Sequence, residues 1–167
     1  THYDEIINFG TYAVKPEYIK FGKKKNIDYD YVFHIRERQL RKEDNWEPDR
    51  WLELKTMLGT NKIACVGTKV ESGHIKGTDD LRDISLGELF DVLHNAKCIF
   101  GPSSGPIHLS SLCGCPHVVW GDQSKSLNRH YTNWNPLQTK ALFLGDYLYH
   151  PTAKHVYDKF KDWSKNG

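Results

Sequence analysis

Three short apolar runs constrain the fold of this chain more than any other feature. KIACVG (62–67), CIFG (98–101) and HVVWG (117–121) lack polar alternation, and each ends on glycine. A strand with one face in water alternates apolar and polar side chains. These runs therefore read as strands covered on both faces, the habit of a parallel sheet. YDYVFHIR at 29–36 reads as a further strand, and ALFLG at 141–145 as an edge strand.

Helical patterns alternate with the strands. WEPDRWLELKTML (46–58) carries Trp51, Leu54 and Leu58 at three- and four-residue steps, with Pro48 in the first turn and Gly59 placed to end the helix. Ser85 precedes LGELFDVLHNA, and Glu88 three residues on completes a capping-box pattern. GPIHLSSLCG reads as a short helix, and PTAKHVYDKFKDW (151–163) as a terminal amphipathic one. The polar stretch 68–83 reads as mostly loop. Residues 1–24 are less legible: EIINFGTYAV suits a short strand or a helix, and PEYIKF a turn or two of helix.

This alternation predicts an α/β protein, a Rossmann-like open parallel sheet with helices on both faces, formed by residues 1–167 as one domain. Right-handed crossovers then bring the loops HIRER, VGTKVESG, FGPSSGP and WGDQ to one edge, at the carboxyl ends of the strands.

The third loop, GPSSGPIH (101–108), has the chemistry of an anion seat. Its glycines allow close approach of backbone, Ser103 and Ser104 supply hydroxyls, and Gly105 and Pro106 open a helix whose first amides point toward the loop. His108 stands in the first turns, within reach of a phosphate oxygen. The rival reading is an ordinary tight connection with His108 bonded to a carbonyl. No Gly-Lys-Ser/Thr follows, so this is not a Walker A loop, and Ser104 lacks the G-x-S-x-G frame of a nucleophile elbow.

In HIRER, Arg36 and Arg38 alternate past a strand end, and an arginine fork suits a diphosphate. Lys42, with Arg41, is a further candidate. A surface salt-bridge cluster with Glu37 and Glu43 is the alternative, and His34 points with the arginines or sits in the core. Glu71, beside Ser72, suits ribose hydroxyls or a base amine. The stretch KGTDDLRD (76–83) borders the nucleoside or holds only solvated acids, and Asp122 and Gln123 are candidates for a sugar hydroxyl.

A formal charge of only +2 offers no global electrostatic case for nucleic acid, and KFGKKK (20–25) is the single basic cluster. Cys65 and Cys98 lie in apolar runs, Cys113 and Cys115 lack zinc-site spacing, and a reducing compartment suits all four. The histidines are scattered and Asp79–Asp80 has no D-x-D form, so no metal site is expected. No stretch is apolar enough to span a bilayer.

The span from NIDYDYVFHIR to VVWGDQ resembles the carboxyl-terminal, donor-binding domain of heptosyltransferase-like glycosyltransferases of the GT-B fold. Their pattern D-[ST]-G-x-x-H, small and apolar residues, then G-x-P and an apolar strand, is similar to SSGPIHLSSLCGCPHVVWG here. Ser104, Gly105 and His108 take the motif positions, with Gly114, Cys115 and Pro116 at G-x-P. WEPDRW is similar to the family's W-P-x-x-x-W opening, with proline displaced by one, and SLGELFDVL to its S-L-x-E-L helix. Two departures stand out: Ser103 occupies the place of the family's acidic residue, and Asp44 and Asn45 precede Trp46 where the family has a lysine, leaving Lys42 or Arg41 to stand in. HIR also resembles the arginine motif of fucosyltransferases.

The resemblance implies a nucleotide-sugar donor, ADP-, GDP- or UDP-linked, with its diphosphate at the loop and helix start, and no other cofactor. It implies a glycan or lipid-linked acceptor and an amino-terminal domain that binds it and supplies the general base. The initial Thr1 fits a processed chain or a piece of a longer one. The expectation is half of a two-domain glycosyltransferase, cytoplasmic or peripheral to a membrane and inactive in isolation. The alternative is a non-catalytic nucleotide-sugar-binding or assembly module. A free-standing epimerase or phosphohydrolase-like protein is a third reading, without a nucleophile motif or complete acid–base set to support it.

Overall fold

The computed structural model of the protein describes Gly22 and residues 29–124 and 134–166. The elements expected within 1–24 lie outside the described residues, as does the basic run at 20–25 apart from Gly22. Six strands, β1 (Tyr31–Phe33), β2 (Ile63–Gly67), β3 (Asp79–Arg82), β4 (Cys98–Pro102), β5 (His117–Trp120) and β6 (Ala141–Leu144), form one sheet in the order β3-β2-β1-β4-β5-β6. Every pairing is parallel. The fold is the open Rossmann-like sheet expected from the apolar runs.

The helices are α1 (Pro48–Leu58), α2 (Leu86–Asn95), α3 (Gly105–Leu112) and α4 (Ala153–Lys165). Successive strand residues face opposite sides of the sheet and divide the core in two. Val32, Ile99 and Val119 pack with Leu89, Val92 and Leu93 of α2 and Ile107, Leu109 and Leu112 of α3. Phe33, Phe100 and Val118 face the other way, toward Trp51 and Leu54 of α1 and Val156 and Phe160 of α4. On that second face Trp46, Trp51 and Trp120 form a cluster with ring centroids 4.6–5.5 Å apart. The Trp46 indole donates to the Pro151 carbonyl at 2.6 Å, which satisfies its buried N–H and ties the start of α4 to α1.

Two expectations need correction. Residues 79–82, read as loop, form β3. This strand is polar (DDLR) because it is an edge, where water reaches the ladder and charged side chains are tolerated. The strand expected over 29–36 is regular only over Tyr31–Phe33. Beyond it the chain stays extended but changes partner. Gly73 N donates to Ile35 O at 2.7 Å and Glu37 N to Glu71 O at 2.7 Å, while Arg36 and Ser72 form an antiparallel bridge.

Candidate functional site

The sheet order reverses at β1, which pairs with β2 on one side and β4 on the other. Connections leave in opposite directions there, so a crevice opens at the carboxyl ends of the strands. The structure has such a cleft, of about 670 Å³. One wall is the end of β1, with His34, Arg36 and Arg38; a second is the loop after β2, with Gly67, Thr68, Glu71 and Ser72. The third runs from Asp83 and Ile84 to Leu86 and Leu89 of α2, and the fourth is Ser103–Pro106 at the mouth of α3. A smaller hollow of about 300 Å³ opens at the opposite sheet edge, between α4 and the starts of β1 and β4, away from all of these loops.

The conformation of β1's extension explains the first wall. Alternation through the extended segment 34–38 puts His34, Arg36 and Arg38 on the cleft side although the regular ladder has ended. Arg36 is only 6% exposed. Its Nη1 donates to the Ser103 carbonyl and its Nη2 to the Asp44 carbonyl, both at 3.0 Å, and its guanidinium lies 5.1 Å from the Tyr149 ring centre. Nε has no hydrogen-bond partner. Burial pulls the Arg36 pKa down to about 10, with the Arg38 charge adding to the effect. A cation held by backbone carbonyls in a desolvated wall leaves a positive potential that an anion in the cleft would neutralise. Arg38 is partly neutralised by Asp44, 3.4 Å away.

His34 is buried at 6% exposure and joins two walls. Its Nδ1 lies 2.8 Å from Ser104 Oγ and its Nε2 3.1 Å from Ser72 Oγ. Burial, with the nearby Arg36 charge, drives its pKa down to about 3, so the ring is neutral and serves one serine as donor and the other as acceptor. Gly67 makes this approach possible. It has φ +119, and a β-carbon there would lie 2.1 Å from Ser72 Oγ and 3.0 Å from His34 Cδ2. Arg82 braces the same loop by donating to the Ser72 carbonyl at 3.0 Å, while its pairing with Asp80 holds that carboxyl well below the usual range.

At the fourth wall, Ser104 is the N-cap residue of α3, yet its side chain makes no capping hydrogen bond. Ser103 N donates to Trp120 O at 2.8 Å, which fixes the loop against β5.

The sequence candidates divide accordingly. Arg36, Arg38, Glu71, Ser103, Ser104, Gly105 and Pro106 all line the cleft. His108 does not line it; its Nε2 lies 3.2 Å from Ser103 Oγ and its ring stacks on Trp134 with centroids 4.1 Å apart. Lys42 also stands outside the wall. The left-handed backbone at Arg41 (φ 55) turns the chain into a 3-10 turn at Lys42–Asp44, where Lys42 is exposed. Asp122 lies off the cleft, its carboxylate accepting from Ser124 N at 3.0 Å. Ser72, which sequence reasoning named only as the neighbour of Glu71, belongs to the cleft, and so does Asp83, from the stretch 76–83 whose acids read as solvated. Ser72 carried no signal beyond its place after a strand end.

All four cysteines are free and buried, and burial pushes the Cys113 thiol up to about 12. Among the described residues no cluster of His, Cys, Asp and Glu could hold a metal ion, and no helix is long and apolar enough to cross a membrane.

No protein-family model and no curated protein matches the sequence. Solved structures do. The chain is similar to the E. coli heptosyltransferase WaaC with ADP, at 15% identity and a TM-score of 0.63 over 84% of this chain and 46% of that one. It is similar to the glycosyl transferase family 9 protein of Veillonella parvula, at 14% identity and a TM-score of 0.61 over 100% of this chain and 52% of that one. It is also similar to the dodecameric iron-containing heptosyltransferase TibC in complex with ADP-D-β-D-heptose, at 14% identity and a TM-score of 0.61 over 89% and 49% of the two chains. The chain spans about half the length of these proteins, and its fold is that of one Rossmann-like domain of the GT-B architecture, the carboxyl-terminal one.

Proposed function

We propose that this chain is the donor-binding domain of a glycosyltransferase and that its cleft takes a nucleoside-diphosphate sugar. The observation that carries the reading is the meeting of two anion-attracting features on one cleft: the uncapped mouth of α3 and the buried Arg36 beside it. Each alone is common, but together they set amide dipoles and a desolvated guanidinium around one small volume.

In this reading the diphosphate lies at Ser103–Gly105, with Arg36 and Arg38 on its flank. The nucleoside runs toward the apolar wall of Ile84, Leu86 and Leu89, where Glu71 and Asp83 offer carboxylates to ribose hydroxyls. When the glycosidic bond to the diphosphate breaks, negative charge grows on the leaving phosphate oxygens. Amides and a guanidinium already oriented there stabilise that charge without reorganisation. The acceptor hydroxyl and its general base come from a second domain, which this reading requires. ADP is the first donor nucleotide to test, because two of the similar structures hold ADP or an ADP-linked sugar.

A thermal-shift panel of ADP, GDP and UDP tests the proposal. Binding to the folded form raises the melting temperature in proportion to ln(1 + [L]/Kd). A rise with at least one nucleotide, lost on replacing Arg36, is expected; no rise with any at millimolar concentration overturns the reading. The alternative, a binding module without turnover, draws on Ser103, whose hydroxyl contacts His108 where the resembled family has a carboxylate. Transfer or hydrolysis of a bound donor by the chain together with its acceptor domain decides against that alternative.

A further inference from the structure

The α3 mouth is open for a reason that lies in β1's extension. An N-cap serine ordinarily turns its oxygen onto the amide of the second or third helical residue. Elsewhere in this chain that happens: Ser85 Oγ accepts from Glu88 N at 3.2 Å, and Thr152 Oγ1 accepts from His155 N at 3.1 Å. At α3 the second helical residue is Pro106, which has no N–H, so Ile107 N is the natural target for Ser104. Ser104 Oγ instead lies 2.8 Å from His34 Nδ1 and caps nothing.

We propose that His34 is a positioning residue that holds the Ser104 hydroxyl off the first turn of α3, so that the Gly105 and Ile107 amides stay available to a phosphate group. The inference rests on the reading of the cleft as a diphosphate site. It adds that ligand access to the helix mouth is set by a buried histidine that need not touch the ligand. The imidazole is suited to this because it is anchored at its far side, Nε2, by Ser72 Oγ at 3.1 Å. That anchor lies on the loop Arg82 braces, so the ring cannot swing away without breaking a buried contact. The tautomer with hydrogen on Nδ1 donates to Ser104 Oγ and frees the serine O–H to donate to a phosphate oxygen. Arg36, buried and lining the same cleft with an unpartnered Nε, is the independent sign that an anion belongs there.

The test uses two isosteres that divide the histidine's contacts. An asparagine amide overlays Nδ1, and a glutamine amide overlays Nε2. His34→Asn therefore keeps the hold on Ser104, whereas His34→Gln keeps Ser72 and releases Ser104. ADP binding to the full chain is measured by calorimetry, and exchange of the Ile107 amide by NMR without ligand. H34N, which keeps the hold on Ser104 but loses the Ser72 anchor, is expected to retain most of the parent's ADP affinity and to leave Ile107 exchanging fast. H34Q is expected to bind about fivefold more weakly, the equivalent of one helix cap, with Ile107 newly protected. Adding Ser104→Ala to H34Q should restore affinity to the level of S104A alone, an outcome that a merely structural role for His34 does not produce. Equal affinities for H34N and H34Q, or no rescue by S104A, overturns the proposal. If the parent binds no nucleotide, the donor-site reading falls, and Ile107 exchange alone then decides whether His34 controls the cap: fast exchange in H34Q refutes it.

Discussion

Arg36 Nη1 and the Ser103 carbonyl are joined by a 3.0 Å hydrogen bond that ties the extension of β1 to the loop after β4, across the point where the sheet order reverses. The same guanidinium reaches the Asp44 carbonyl at 3.0 Å, so one planar fork holds two loops. A lysine has a single ammonium and cannot span both carbonyls. Arg36→Lys is expected to cost about 2 kcal/mol in urea denaturation, the scale of a charged hydrogen bond lost beside a buried acceptor. It should also abolish the nucleotide-dependent thermal shift, and unchanged stability would remove Arg36 from its structural role.

Gly67 carries the tightest backbone approach in the cleft. At φ +119, with Ser72 Oγ 2.1 Å from an added β-carbon, Gly67→Ala meets both strain and a steric clash. Its expected cost is about 2–3 kcal/mol. Ser72→Gly in the same chain should recover the steric part and leave the strain, which a comparison of denaturation midpoints measures.

His34 makes stability depend on pH. Its folded pKa, about 3, lies below the 6.5 of an ordinary histidine, so between these values the unfolded chain binds more protons. The contribution of the buried neutral ring is complete above pH 6.5 and is lost as pH falls toward 3. Lowering pH from about 7 to about 5 should remove about 2 kcal/mol through this residue. The measure is the difference between the parent and His34→Asn in urea midpoints at the two pH values; an identical pH dependence of both refutes the assignment.

His108 provides a contrast with Arg36. Its ring stacks on Trp134 and its Nε2 contacts Ser103 Oγ, off the cleft wall. Replacing His108 with alanine is expected to change ADP affinity by no more than about threefold, under ~1 kcal/mol. A loss as large as that of the Arg36 variants would show that the imidazole meets the ligand directly.

The layout of the sheet was legible in the chain because a strand buried on both faces is mostly apolar without alternation, as IACVG is and as HVVWG is after His117. The α2 cap was legible because Ser85 and Glu88 answer one another over a single turn. DDLR escaped notice because an edge strand needs no apolar run. Ser103–Pro106 announced itself by local composition, small residues before a helix, and Arg36 and Arg38 by alternation past a strand end.

By itself, then, the order of residues determined which segments become strands and helices and which loops share an edge, since burial and capping act over a few neighbouring positions. Only the tertiary structure decided that His34 is both buried and part of the cleft, and that it meets Ser72 and Ser104, 38 and 70 positions away. The partner of a buried polar group is set by desolvation, which forces it to find whichever donor or acceptor the folded backbone brings within reach, at any distance along the chain.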